Sequence, residues 1–220
     1  MNDQVKKSLI VTGALFLVFV IYTVCIKVVD VLPTGLLDSS IGFSSINIPV
    51  RDALHFSKFF YLVSKLIGAV AILICVFFGF LGLMQIVKRK GLTKADADIY
   101  VLGAFYIAVI LFYALFEVLI VNYRPVDLGE GLEASYPSSH TMLALCVFIT
   151  AAFQFNKRIK EEKIKKIVVW SCIGLSVLMV VTRILSGVHW ITDIVGALLL
   201  SAFLISGYLA GIKFVEKKVT

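Results

Sequence analysis

The feature that most limits how this chain can fold is a set of six long apolar runs. They cover roughly residues 8–28, 59–87, 99–121, 139–155, 167–185 and 190–212. A helix that crosses the hydrocarbon core of a bilayer needs about 20 mostly apolar residues. There the backbone must satisfy its own N–H and C=O groups, and a helix does so within one segment. Each run therefore predicts one transmembrane helix. A barrel would show segments of about ten residues with alternating polarity, whereas these runs are unbroken. Of the 220 residues, 60% are hydrophobic and 16% charged, with a mean hydropathy of +0.99. A soluble core of this size cannot hide so much apolar surface, and disordered chains are apolar-poor. The expectation is an all-α polytopic membrane protein: one membrane-embedded domain over residues 1–220, built as a bundle of six transmembrane helices.

The net charge of +7 would suggest nucleic acid in a soluble protein. In a membrane protein, where the positives lie matters more than their sum. They gather at Lys6 and Lys7; at Lys88, Arg89, Lys90 and Lys94; at Lys157, Arg158, Lys160, Lys163, Lys165 and Lys166; and at Lys213, Lys217 and Lys218. These segments alternate with the other three loops, so they share one side of the membrane. The positive-inside rule makes that side the cytoplasm. Both termini are then expected inside, and residues 30–57, 122–138 and 186–189 outside. The four cysteines, Cys25, Cys75, Cys146 and Cys172, all lie in apolar runs and form no CxxC pair. They read as small buried hydrophobes.

The outer loops carry the chemistry. Asn122-Tyr123-Arg124-Pro125 follows the third span, and Tyr136-Pro137-Ser138-Ser139-His140 opens the fourth. Thr182-Arg183, Ser186-Gly187, His189 and Asp193 join the fifth and sixth. Arg124 and Arg183 are permanently charged planar forks suited to phosphate oxygens. Ser138 or Ser139 can cap the fourth span, whose free first-turn N–H groups favour an anion. His189 and Asp193 share a helix face at i, i+4. A carboxylate there can hold one imidazole N–H and leave the other nitrogen free to attack. His140 remains as proton donor to a leaving oxygen. Tyr123, Tyr136 and Trp190 fit an interfacial aromatic belt. Asp127, Glu130 and Glu133 read as solvated loop acids, and His55 as structural. Two nearby arginines argue against a metal cation, so no metal ligand set is assigned.

These residues resemble the type-2 phosphatidic-acid phosphatase family. Its signature is a Lys, six residues, then Arg-Pro; next Pro-Ser-Gly-His; then Ser-Arg, five residues, His, three residues, Asp. The resemblance implies metal-independent, cofactor-free phosphoryl transfer. His189 would attack phosphorus and form a phosphohistidine, Asp193 would orient it, and His140 would protonate the leaving group. Arg124, Arg183, Ser138 and Ser139 would hold the phosphoryl oxygens. The implied partner is a membrane lipid phosphate, with no nucleic acid. Undecaprenyl diphosphate leads the candidates, followed by phosphatidylglycerophosphate and phosphatidic acid. The small chain suits a bacterial plasma membrane with the site facing outward. The alternatives are a phosphotransferase with a lipid acceptor, and a non-catalytic lipid-binding or transport protein on the same scaffold.

Three positions depart from that pattern. Ser139 stands for the Gly and Thr182 for the Ser, both mild changes. Glu117 stands for the Lys, so an acid replaces a phosphate-binding cation. Lys65 is an unexpected charge inside the second span. Intramembrane charges usually pair, so Glu117 is expected to pair with Lys65, Arg124 or Arg183, or to receive a cationic headgroup. Both are candidate modulators of the site.

Overall fold

The computed structural model describes residues 3–33, 39–129, 131 and 133–217; Glu130 and Lys218, both used above, lie outside them. Among the described residues seven helices follow in order: α1 (Asp3–Val28), α2 (Ser44–Leu54), α3 (Lys58–Lys88), α4 (Ala97–Val118), α5 (Ser139–Arg158), α6 (Glu162–Leu185) and α7 (Ile191–Lys217). All but α2 are long and apolar enough to cross a membrane. They match the six runs. α5 continues to Arg158 and α7 to Lys217, because polar ends carry on past the apolar core. α4 ends earlier than expected: Leu119 leaves helical geometry, and the chain continues without helix through Val121 into the first motif. Many large apolar side chains, among them Ile10, Leu73, Ile107 and Trp170, are exposed on the bundle's flanks, the surface that lipid covers.

Helix α5 is the most buried span. Its buried face carries many small and medium side chains, with Ala144, Cys146, Val147 and Ala151 fully enclosed beside the larger Met142 and Phe148. That lets α3, α6 and α7 approach it closely, so the motif at its first turn sits at the centre of the bundle. α1 runs antiparallel along α7: Thr12 meets Ser206 at 2.9 Å, and the Tyr22 hydroxyl donates to the Thr192 carbonyl at 3.2 Å.

At the basic end, Arg158 grips the buried Asp98 carboxylate with both Nη atoms, at 2.9 and 3.1 Å. Lys157 reaches Asp98 at 3.0 Å and Glu216 at 3.1 Å. Two of the expected topology charges therefore also tie α4, α5 and α7 together.

The first motif-side loop contains α2. Asp30 accepts from the Ser45 N–H at 2.7 Å and the Ser44 hydroxyl at 2.8 Å, which caps α2 from outside the helix. The Ser45 N–H and the Ser44 hydroxyl hold the Asp30 carboxyl below its ordinary range. Buried Asn47 donates to the Gly42 carbonyl at 2.7 Å and to Thr192 Oγ1 at 2.9 Å. This pins α2 to the start of α7, the helix that carries Asp193.

Candidate active site

The loop from residue 121 to 138 folds back on itself. Tyr123 pairs with Ala134, the Arg124 N–H donates to the Glu133 carbonyl at 3.1 Å, and the Ser135 N–H donates to the Asn122 carbonyl at 3.0 Å. The narrow hairpin puts Asn122 and Ser135 side by side, and both aim at Asp193. Asn122 Nδ2 donates to Asp193 Oδ1 at 2.9 Å, and Ser135 Oγ donates to Oδ2 at 2.5 Å. The Trp190 N–H donates to Oδ2 at 2.9 Å. Asp193 stands at the third position of α7, and a carboxylate there can reach back to the N-terminal N–H. It is 0% exposed.

His189 lies on the short α6–α7 connection. Its Nε2 receives Arg183 Nη2 at 2.5 Å, and its Nδ1 lies 3.0 Å from Ser135 Oγ. Arginine can only donate, so Nε2 is the acceptor and Nδ1 carries the proton. The Nδ1–H then donates to Ser135, and Ser135 donates to Asp193. The direct His189 Nδ1–Asp193 Oδ2 separation is 3.5 Å. Two expectations are corrected: His189 shares no helix face with Asp193, because it precedes α7 on the connecting loop, and a serine hydroxyl bridges the two side chains. Burial above all, then the charges of Arg183, Arg124 and His140, holds His189 well below its ordinary pKa. The imidazole is neutral.

Gly187 makes this connection possible. Its φ is +67°, and a Cβ there would stand 2.4 Å from the His55 carbonyl oxygen. The Ser57 N–H donates to the Ser186 carbonyl at 3.0 Å. The α2–α3 junction therefore buttresses the loop that presents His189, and exposed His55 contributes its backbone.

Arg183 is 0% exposed. Its Nη1 donates to Ser64 Oγ on α3 at 3.3 Å, and its guanidinium faces the Tyr61 ring at 5.9 Å. Arg124 pairs with Glu133 at 2.5 Å, so this partly exposed loop acid is also an ion-pair partner. The Nε of each arginine is buried with no hydrogen-bond acceptor among the described residues. Such donors are costly to leave unpaired. They are suited to an anion that brings its own oxygens.

Ser138 is the N-cap residue of α5, but its hydroxyl meets Thr141 Oγ1 at 3.0 Å and does not cap the helix. The first-turn N–H groups of α5 have no intrahelical acceptor. His140 and Ser139 both line a cavity of about 540 Å³ between α3, α4 and α5, and His140 rests against Gly68 of α3. Lys65 and Tyr113 line the same cavity.

Glu117 falls outside this cluster. Its carboxylate lies beside Tyr113, in a small neighbouring pocket with Phe116 and Pro137. Among the described residues it forms no ion pair with Lys65, Arg124 or Arg183, so the expected pairing is not formed. The hairpin takes Arg124 to Glu133 instead, and Lys65 turns to the Tyr61 ring. The aromatic belt is corrected as well. Tyr136 is buried beneath the site, bonded to Thr23 at 2.7 Å and stacked on Phe19. Trp190 is buried too, with its indole N–H donating to the Tyr123 carbonyl at 2.7 Å. Both build the floor and rim of the site.

Sequence reasoning missed Ser135, Asn122, Ser64 and Tyr61 as parts of the cluster. Asn122 was visible as the motif's first residue. Ser135 could be found only by pairing the two edges of the hairpin, and Ser64 and Tyr61 only by docking α3.

A polytopic helical membrane protein with a buried His–Ser–Asp chain and two arginines at one end is what fold and site define. The sequence profile of the PAP2 superfamily matches residues 101–215, and the chain belongs to that superfamily. It is 34% identical over 88 residues to "Phosphatidylglycerophosphatase B" of Bacillus subtilis (strain 168), a match covering 38% of this chain and 43% of that relative. The aligned part thus spans less than half of the relative's length. Its fold is similar to the crystal structure of a transmembrane PAP2-type phosphatidylglycerolphosphate phosphatase from Bacillus subtilis. The TM-score is 0.66 at 22% identity, covering 94% of this chain and 96% of that one.

Proposed function

We propose that this protein is a metal-independent lipid phosphatase. It hydrolyses a phosphate monoester or diphosphate of a membrane lipid through a phosphohistidine on His189. The observation that carries this reading is the neutral imidazole whose Nε2 meets Arg183, beside two buried guanidinium Nε–H groups without acceptors.

In the resting site, Arg183 donates to the lone pair that must attack. A phosphoryl group entering between Arg183, Arg124 and the first turn of α5 accepts those donors and frees Nε2. The Nε2 lone pair forms the N–P bond as the bond from phosphorus to the leaving oxygen breaks. His140 gives its proton to that oxygen. Phosphorylation makes the imidazole cationic, and its Nδ1–H stays held by Ser135 with the Asp193 charge behind it. Water then attacks phosphorus, His140 takes its proton, and the N–P bond breaks to return neutral His189 and free phosphate. Fixed donors aimed at the phosphoryl oxygens supply charge stabilisation without reorganisation.

The cavity on the His140 side supports a lipid leaving group, since its walls include Ile72, Val109, Ile110 and Leu143. Among substrates, phosphatidylglycerophosphate moves ahead of undecaprenyl diphosphate and phosphatidic acid, because the relatives are named for it. The distribution of lysine and arginine supports a plasma-membrane protein with this site outside.

The test is phosphate release by the purified protein in detergent with excess chelator, over a panel of lipid phosphates. Release that His189→Ala abolishes, together with an acid-labile phosphoprotein trapped on the native chain, is the expected result. No release from any lipid phosphate would favour a non-catalytic binding role, and transfer to an added alcohol without free phosphate would make it a transferase.

A further inference from the structure

We propose that Lys65 forms a second phosphate subsite, which binds a phosphate carried by the leaving group of the substrate. The proposal rests on the lipid-phosphatase reading above and deepens it: the substrate class is a lipid with two phosphates, of which the terminal one is cut.

Lys65 sits about two turns inside α3, at an exposed position of a membrane-spanning helix. A charge at such a position is costly, and it normally has a partner. Among the described residues no carboxylate lies within ion-pairing distance of Lys65; its Nζ stands over the Tyr61 ring at 5.1 Å. The other side of the relationship is Arg183, whose guanidinium faces the same ring at 5.9 Å. One aromatic residue is therefore flanked by two cations, one in the phosphoryl site and one in the cavity beside it.

The direction of the reaction connects them. Gly68 lies one turn further into α3 than Lys65 and on the same face. The His140 ring rests against Gly68, 3.4 Å from where a Cβ would stand. Lys65, Gly68 and His140 line one cavity. His140 protonates the leaving oxygen, so whatever that oxygen belongs to must occupy this cavity. Lys65 is the cation it meets there. The leaving group of phosphatidic acid is a neutral diacylglycerol, which offers Lys65 nothing. Phosphatidylglycerophosphate leaves as an alcohol bearing a phosphodiester, and a prenyl diphosphate leaves as a lipid monophosphate. Each presents an anionic phosphate oxygen, and a lysine ammonium is a compact point charge suited to it.

The experiment compares kcat/KM for phosphatidic acid, phosphatidylglycerophosphate and a prenyl diphosphate in one neutral detergent, for the native protein, Lys65→Met and Lys65→Arg. The native protein should prefer a two-phosphate lipid. In Lys65→Met the ratio of kcat/KM for that lipid over phosphatidic acid should fall about tenfold, the scale of one charged hydrogen bond, mainly through KM. Lys65→Arg should keep most of the ratio. A fall in the phosphatidylglycerophosphate ratio alone identifies a phosphodiester as the ligand, and a fall in the prenyl diphosphate ratio alone identifies a directly attached phosphate. Equal losses on all three lipids, or no loss, would overturn the subsite and leave Lys65 an anchor to bulk headgroups, with the phosphatase reading intact. A native protein that cleaves none of the three would overturn both.

Discussion

Arg183 Nη2 lies 2.5 Å from His189 Nε2, so the cation that should hold the phosphate also masks the nitrogen that should attack it. Because arginine only donates, this contact also decides the tautomer: the proton is on Nδ1, facing Ser135. In the proposed reaction the phosphate oxygens would compete for Arg183 and expose the lone pair, so that binding and activation of the nucleophile would be one event.

Replacing that arginine tests the coupling. Arg183→Lys keeps a charge but loses the planar fork that meets Ser64, His189 and a phosphate oxygen together. The kcat/KM for lipid phosphate should drop on the order of a hundredfold or more, measured as initial rates of phosphate release.

Ser135 should behave as a positioning residue. Ser135→Ala removes the hydroxyl between Nδ1 and Asp193, leaving a gap of 3.5 Å in the native geometry. The kcat should fall by roughly ten- to a hundredfold with a smaller change in KM, and the phosphohistidine should form more slowly in single-turnover measurements. Ser135→Thr, which keeps the hydroxyl, should recover part of the rate.

The buried imidazole makes stability sensitive to acid. His189 is held well below its ordinary value of 6.5, first by burial and then by Arg183, Arg124 and His140. Below that value the unfolded chain takes up a proton that the folded chain refuses, so the His189 contribution to stability is lost as the pH falls. Thermal or denaturant midpoints in detergent should therefore decline from about pH 6.5 downward. The decline should be shallower in His189→Asn, which cannot titrate.

Gly187→Ala should damage the site through the backbone. The new Cβ would meet the His55 carbonyl, and φ is already +67°. The cost should be about 1–3 kcal/mol, seen as a lower melting temperature. Activity should fall further than that of a surface control, because the same connection carries His189.

Asn47→Ala should loosen α2 from α7. It removes the donors to Gly42 and Thr192 and the acceptor for the Thr192 N–H, at 3.3 Å. A loss of about 1–3 kcal/mol is expected, with faster hydrogen exchange at the start of α7.

The six spans and the end of the bundle that carries the motifs are legible in the order of residues alone. Hydrocarbon forces every apolar run of that length into a helix, and a helix fixes which of its residues share a face. The approach of His189 to Asp193 lies outside that local order, because His189 stands before α7 on the connecting loop. What stands between helices follows from how the bundle packs. The 121–138 hairpin places Ser135 between His189 and Asp193 and gives Arg124 to Glu133. The docking of α3 brings Ser64 and Tyr61 to Arg183, and sets Lys65 on the cavity while Glu117 turns to Tyr113. Those contacts depend on the packing distance and rotation of neighbouring helices. No spacing along a single chain segment encodes either one.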